Sequence, residues 1–292
     1  MALPVEMSPN QSVIHDIGYQ RYTGPRLGRG YATRSLYVHS LRSAFGLGRS
    51  GKAKVFPFIV VGLAFAVAVV AVVVRSQTGS PFVTYLGYPD TQAVQVMLFL
   101  AIVAPELVSR DLRSKVLPLY FSRPLGRGDY ALAKFSALVS AVLLLMAGPL
   151  LLILLGGVFS QKKGWSGAGH EFTDFLGGLA YAGVYALVFG GIAILVASLA
   201  SRRAVAAAAI VGSFLVTAPV AGVLGAIGGP TMQDLAPVIN PVTLMQGIKT
   251  YVFRVHDGLP VGDFGPMYVA VAIALVILCV TLLLARYRKV DA

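Results

Sequence analysis

The feature that most constrains this chain is a set of long apolar runs separated by short charged ones. Phe56 to Val74 carries no charged side chain, begins just after Lys52 and Lys54, and stops at Arg75. At about 1.5 Å of helical rise per residue, roughly 20 such residues cross a hydrocarbon core about 30 Å thick. Lipid offers no hydrogen bonds, so a spanning segment must satisfy its own backbone, which in a run of this length means a helix. Five further runs read the same way: Thr91 to Val108, Tyr130 to Phe159 with Pro149 inside it, Phe172 to Ala200, Ala204 to Ile227 with Pro219, and Gly265 to Ala285. The expected fold is an all-α polytopic membrane protein with six transmembrane helices. Composition agrees: 57% of residues are hydrophobic and 12% are charged, against about 25% charged in an ordinary soluble domain. A soluble enzyme, a disordered chain, a collagen-like fibre and a disulfide scaffold are excluded.

Charge sets the orientation. Of the 24 Lys and Arg, only Arg75, Lys162, Lys163, Lys249 and Arg254 fall on one side of the six spans. The other 19 lie in the N-terminal tail, between spans two and three and at the start of span three, between spans four and five, and after span six. Cytoplasmic loops carry the excess of Lys and Arg. An even number of spans puts both termini together, so both are expected in the cytoplasm, with the chain in the plasma (inner) membrane. The formal net charge of +12 therefore reads as anchoring beside anionic lipid rather than as a nucleic-acid surface. The first apolar run begins too far in for a signal peptide. Three regions follow: a cytoplasmic tail over 1–55, a transmembrane domain over 56–285, and a short cytoplasmic tail over 286–292. Within the first, Tyr31 to Phe45 places Val38, Leu41 and Phe45 at helical spacing, which predicts an amphipathic helix lying in the interface. Gly46 to Gly51 reads as a flexible link into span one.

Several chemical motifs fail on inspection. Gly46-Leu-Gly-Arg-Ser-Gly-Lys-Ala53 approaches a phosphate-binding loop, but Ala53 lacks the hydroxyl that holds Mg²⁺ and the following residues enter the membrane. The four histidines, His15, His39, His170 and His256, include no i, i+4 pair, and no metal site is expected; His170 beside Glu171 reads as a loop pair. No serine-nucleophile elbow occurs. Cys279 is the single cysteine, so no internal disulfide can form. Small-residue pairs such as Gly178 with Ala182 and Gly222 with Ala226 suit close helix packing in lipid. The chain is not expected to be an enzyme, and no catalytic or cofactor-binding residue is assigned.

The densest polar signal runs from Ala104 to Lys134, from the end of span two into span three. An acidic residue at a membrane boundary is costly unless paired or hydrated. Glu106 lies four residues before Arg110, and Asp111 four before Lys115, so both could form helical ion pairs. Leu112, Val116 and Leu119 supply an apolar stripe. The expected object is one short amphipathic helix, about 105–118, with its charged face outward.

This run resembles the membrane subunits of ABC-2 type ATP-binding-cassette exporters. The matching residues are Glu106, Ser109-Arg110-Asp111, Arg113, Leu117-Pro-Leu-Tyr120, Ser122-Arg123-Pro124, Arg127, Tyr130 and Lys134. Where that family commonly has Gly-Thr after the basic turn, this chain has Ser114-Lys115-Val116. The resemblance implies that the segment is a coupling helix seated in a separately encoded ATPase, with Glu106, Arg110, Asp111, Arg113 and Lys115 carrying the force. It implies ATP and Mg on that partner and no cofactor on this chain. It also implies a second membrane subunit, identical or related, and a hydrophobic or amphipathic cargo meeting spans two and five. The outer segment, about 228–264, would form short re-entrant helices capping the path; Val242, Met245, Ile248 and Val252 have the spacing for one of them. The alternative is a channel or passive membrane scaffold working without an ATPase.

Overall fold

The computed structural model describes residue 24 and residues 27–289, apart from 115, 123–124, 161–163 and 256–257. Among the described residues the chain is helical and contains no strand. Its helices are α1 (Arg29–Ala44), α2 (Gly51–Thr78), α3 (Tyr88–Thr91), α4 (Ala93–Leu107), α5 (Ser109–Arg113), α6 (Leu117–Phe121), α7 (Arg127–Ser160), α8 (Gly164–Leu199), α9 (Arg203–Leu215), α10 (Thr217–Ile227), α11 (Pro230–Leu235), α12 (Pro241–Val252) and α13 (Gly265–Arg288), with 3₁₀ turns at Ala236–Ile239 and Gly262–Phe264. Six stretches are long and apolar enough to cross a membrane: Gly51–Thr78, Ala93–Arg113, Arg127–Ser160, Gly167–Leu199, Arg203–Ile227 and Gly262–Arg288. The chain is a multi-pass membrane protein.

The expected spans are all present, mostly longer than drawn from hydropathy. Span one starts at Gly51 because Lys52 and Lys54 tolerate helix at a hydrated end. It stops at Gly79, whose φ of +73° lets its N–H reach the Arg75 carbonyl at 2.9 Å, a left-handed cap that a residue with a Cβ resists. Span five is two helices rather than one. Pro219 has no N–H to offer the Leu215 carbonyl, where α9 ends, and the Thr217 hydroxyl donates back to the Phe214 carbonyl at 3.0 Å.

The centre of the bundle is α8, packed against α7, α4, α9 and α13. Tyr181, Tyr185, Phe189 and, from α9, Phe214 form a continuous aromatic ladder through it, with successive centroids 5.8, 4.4 and 4.7 Å apart. Glycine permits the tightest approaches: a Cβ on Gly178 would lie 2.7 Å from the Tyr85 carbonyl. Outward, α2 presents Phe58, Ile59, Leu63, Val69 and Val73, and α13 presents Ile273 and Ile277, side chains suited to lipid.

The N-terminal segment holds a helix, α1, but its packed face differs from the expected one. Leu36, Ser40 and Ala44 are buried while Val38 is 41% exposed. The helix packs on α7, the Tyr37 hydroxyl donates to Ser140 Oγ at 2.9 Å, and Arg29 clamps both carboxylate oxygens of Asp129 at 2.5 and 2.8 Å. Packing against a neighbouring helix, rather than spacing within the segment, chose the face.

The outer segment is ordered around Asn240, which is 3% exposed. Its Oδ1 accepts the N–H groups of Val242 and Thr243 at 2.8 and 3.2 Å, capping α12, with Pro241 in the first turn. Its Nδ2 donates to Thr217 Oγ1 at 3.2 Å, so one side chain ties α12 to the break in span five. Of the four residues at helical spacing, Met245 and Ile248 are buried, Val242 is half-buried and Val252 is exposed.

Candidate functional site

The resembling segment sits where α4, α5, α7, α8 and α9 meet. Pro105 removes one N–H from the last turn of α4, and Val108 leaves helical geometry at φ −122°. The chain re-enters helix over Ser109–Arg113 and again at Leu117–Phe121, with Pro118 in the first turn of α6. The expected single helix over 105–118 is therefore an elbow: Glu106 belongs to the end of α4, Arg110, Asp111 and Arg113 to α5, and Lys115 lies outside the described residues.

Glu106 is the hub. Its Oε1 is 3.0 Å from Arg110 Nη1, the pair anticipated from spacing. The same oxygen meets Arg49, and Oε2 lies 2.9 Å from Arg203 Nη1 at the start of α9. One carboxylate, 9% exposed at its side chain, thus joins three cations from three parts of the chain. Arg49 reaches it because Gly46 to Gly51 forms a defined turn and not a free link. Gly46, at φ +69°, lies so close to α2 that a Cβ there would stand 2.5 Å from the Ala53 carbonyl oxygen.

Asp111 points inward, against the expectation of an outward charged face. Its Oδ2 accepts from the Tyr130 hydroxyl at 2.7 Å and lies 2.9 Å from Lys134 Nζ. The Lys134 side chain is 5% exposed and Asp111 14%. The ammonium also lies 5.4 Å from the Tyr130 ring centroid, and that ring packs on Tyr120 and Tyr287 at 5.5 and 5.1 Å. A buried ammonium needs a counter-charge, and Asp111 of α5 supplies it to Lys134 of α7. Ser109, buried, donates to the Ala197 carbonyl of α8 at 2.8 Å. Arg113 is exposed and forms no ion pair among the described residues. Arg49, Tyr130, Lys134 and Arg203 thus enter the site with Glu106, Arg110, Asp111 and Arg113, the described residues among the five named from sequence. Tyr130 and Lys134 stood within the resembling run, whereas Arg49 and Arg203 carried no local signal.

At the opposite end of the bundle two further charge clusters are closed. Arg75 clamps Glu171 through two contacts of 2.5 and 3.0 Å, and the Tyr85 hydroxyl donates to the same carboxylate at 2.7 Å. Burial pushes the Tyr85 phenol well above its ordinary value, which keeps that proton in place. Glu171 is thus committed to Arg75 and Tyr85, and no group of three or more metal-ligating side chains occurs among the described residues. Lys249 of α12 pairs with Asp90, whose second oxygen accepts from Tyr181 at 2.7 Å.

Between these ends, α4, α9, α10 and residues 233–243 border an open cavity of about 570 Å³. Val94, Met97, Phe189, Phe214, Leu215, Ala218, Ala221 and Gly222 line most of it, with Gln233, Asn240 and Thr243 at its outer margin. Such a space, apolar with a few polar groups at one edge, suits an apolar or amphipathic molecule.

Residues 69–291 match the family model described as ABC-2 family transporter protein. No curated protein matches the chain.

Proposed function

The chain belongs to the ABC-2 transporter family, the membrane subunits of ATP-binding-cassette transporters, and from that premise we propose that it exports a hydrophobic or amphipathic substrate using ATP hydrolysed, with Mg, on a separate ATPase subunit. The carrying observation is the elbow at Glu106 to Arg113. It is held to span three through Asp111, Lys134 and Tyr130, to span four through Ser109, and to span five through Glu106 and Arg203. A push on it would therefore reach several helices at once. Arg110 and Arg113, both exposed, are the side chains an ATPase would grip, with Lys115 beside them in sequence. Glu106 and Asp111 act as the anchors that make the lever stiff.

The substrate path we infer runs through the cavity between spans two and five. A second membrane subunit, a copy or a relative, would face span five, where Val216, Val220, Val223 and Ile227 are exposed and Gly222 leaves room for close approach. Both termini lie in the cytoplasm in this reading, on the side that gathers 19 of the 24 cations, and the membrane is the plasma (inner) membrane. The division proposed is an N-terminal tail before the first span, six spans, and a short basic tail.

The test is affinity purification of the chain from its native membrane, followed by ATPase assay of the complex in proteoliposomes. An ATP-binding subunit is expected to co-purify. Arg113→Glu is expected to leave insertion intact and to reduce ATP hydrolysis by the assembled complex at least tenfold. Purification without any ATP-binding subunit, together with ion conduction in planar bilayers without ATP, would instead establish the channel reading.

A further inference from the structure

The cations around Glu106 outnumber what Glu106 can neutralise. A cleft of about 180 Å³ between α5 and the start of α9 is lined by Arg49, Arg110, Arg113 and Arg203 with Ser201 and a single carboxylate, Glu106. Four guanidinium groups against one carboxylate leave a local excess of three positive charges. Each guanidinium carries five N–H donors, and Glu106 takes one contact from each of three of them, so most donors remain available. The Arg110 and Arg203 side chains are 60% and 57% exposed. The first turn of α9 adds backbone N–H groups that no side chain caps, and with them the positive end of the helix dipole.

We propose that this cleft binds the phosphate-bearing headgroup of an anionic phospholipid. Planar guanidinium groups match phosphate oxygens in pairs, which accounts for an all-arginine lining. The position selects a lipid over a soluble anion. Leu199 and Val205, which flank Ser201 to Arg203 in the chain, are 63% and 54% exposed, apolar surface that belongs in hydrocarbon. The cleft therefore lies at the depth where acyl chains end and headgroups begin. A bound headgroup would offset the excess charge and tie α5 to α9. The inference uses the membrane placement of the chain and not its pairing with an ATPase.

The experiment uses the full purified chain without any ATPase, stripped of lipid in neutral detergent and titrated under native mass spectrometry. Phosphatidylglycerol is compared with phosphatidylcholine of the same acyl chains, and inorganic phosphate is added in a separate arm. One phosphatidylglycerol is expected to bind at least tenfold more tightly than phosphatidylcholine. Arg113→Gln removes a cation that holds no carboxylate among the described residues, so folding is not at stake. It is expected to weaken phosphatidylglycerol about fivefold, the scale of one basic residue near an anionic surface, and to leave phosphatidylcholine unchanged. Arg49→Gln serves as the second variant, with the same direction expected. Equal binding of the two lipids, or a preference that neither variant moves, would overturn the proposal. Displacement of phosphatidylglycerol by an equal concentration of inorganic phosphate would reassign the cleft to a soluble anion.

Discussion

Asp111→Asn isolates the buried pair that fixes the elbow to span three. The substitution keeps the shape and an acceptor for Tyr130 and Lys134, and removes only the charge. Lys134, 5% exposed, is then an ammonium with no carboxylate beside it and one aromatic ring 5.4 Å away. Breaking a buried pair from one side costs about 3–5 kcal/mol; with the amide still accepting, about 3 kcal/mol is expected. At roughly 2–4 °C per kcal/mol the midpoint of thermal unfolding should fall by roughly 6–12 °C. Cys279 provides the assay, because it is the only cysteine and is 4% exposed, so a thiol-reactive fluorophore reports loss of the fold without further labelling. Lys134→Met should cost less, about 2 kcal/mol, since Asp111 is more accessible and keeps the Tyr130 hydroxyl at 2.7 Å. The double variant removes both charges and should cost no more than about 2 kcal/mol, giving a coupling energy near 3 kcal/mol in the cycle. Single-site losses that simply add in the double variant, to within about 0.5 kcal/mol, would show that the two charges do not depend on each other and would remove the anchor from the argument.

The outer end offers a matched pair of glycines. A Cβ on Gly157 would lie 2.5 Å from Glu171 Oε2 and 2.9 Å from Arg75 Nη1, whereas Gly169 has nothing within 4 Å; Gly157→Ala should lower the unfolding midpoint by an amount equivalent to about 2 kcal/mol, and Gly169→Ala should hold or raise it slightly. The cavity is tested by Gly222→Trp, at a lining position with open space beside it. Reconstituted in nanodiscs, this variant should lose most of the fluorescence enhancement of an apolar naphthylamine dye that the unaltered chain gives, with no change in the Cys279 unfolding midpoint.

Hydropathy alone carried the membrane reading a long way. Six runs of spanning length needed no tertiary partner to be recognised, because the absence of water leaves a lipid-embedded backbone one local solution, and that solution is written within each run. The helix caps at Gly79 and Asn240 are equally local, each acting on neighbours within four residues, although neither was singled out from sequence. The Glu106–Arg110 pair belongs to the same class, since a helix places residues four apart on one face.

Charge partners farther along the chain had no such signature. Asp111 had Lys115 at helical spacing, yet it turns inward to Lys134, because α5 ends at Arg113 and the nearby surface of α7 holds a buried ammonium. Arg49 and Arg203 each read as topology-setting cations, and become partners of Glu106 only when α1 packs on α7 and α9 packs on α4. Arg75 and Glu171, 96 residues apart, meet only because Gly157 leaves space between them. Sequence determined the solvent, the spans and their number, since those depend on free energies of transfer summed over contiguous residues. Which charges meet, which face of α1 is covered and where a cavity opens were decided by helix packing, since each depends on a distance between segments that no local pattern encodes.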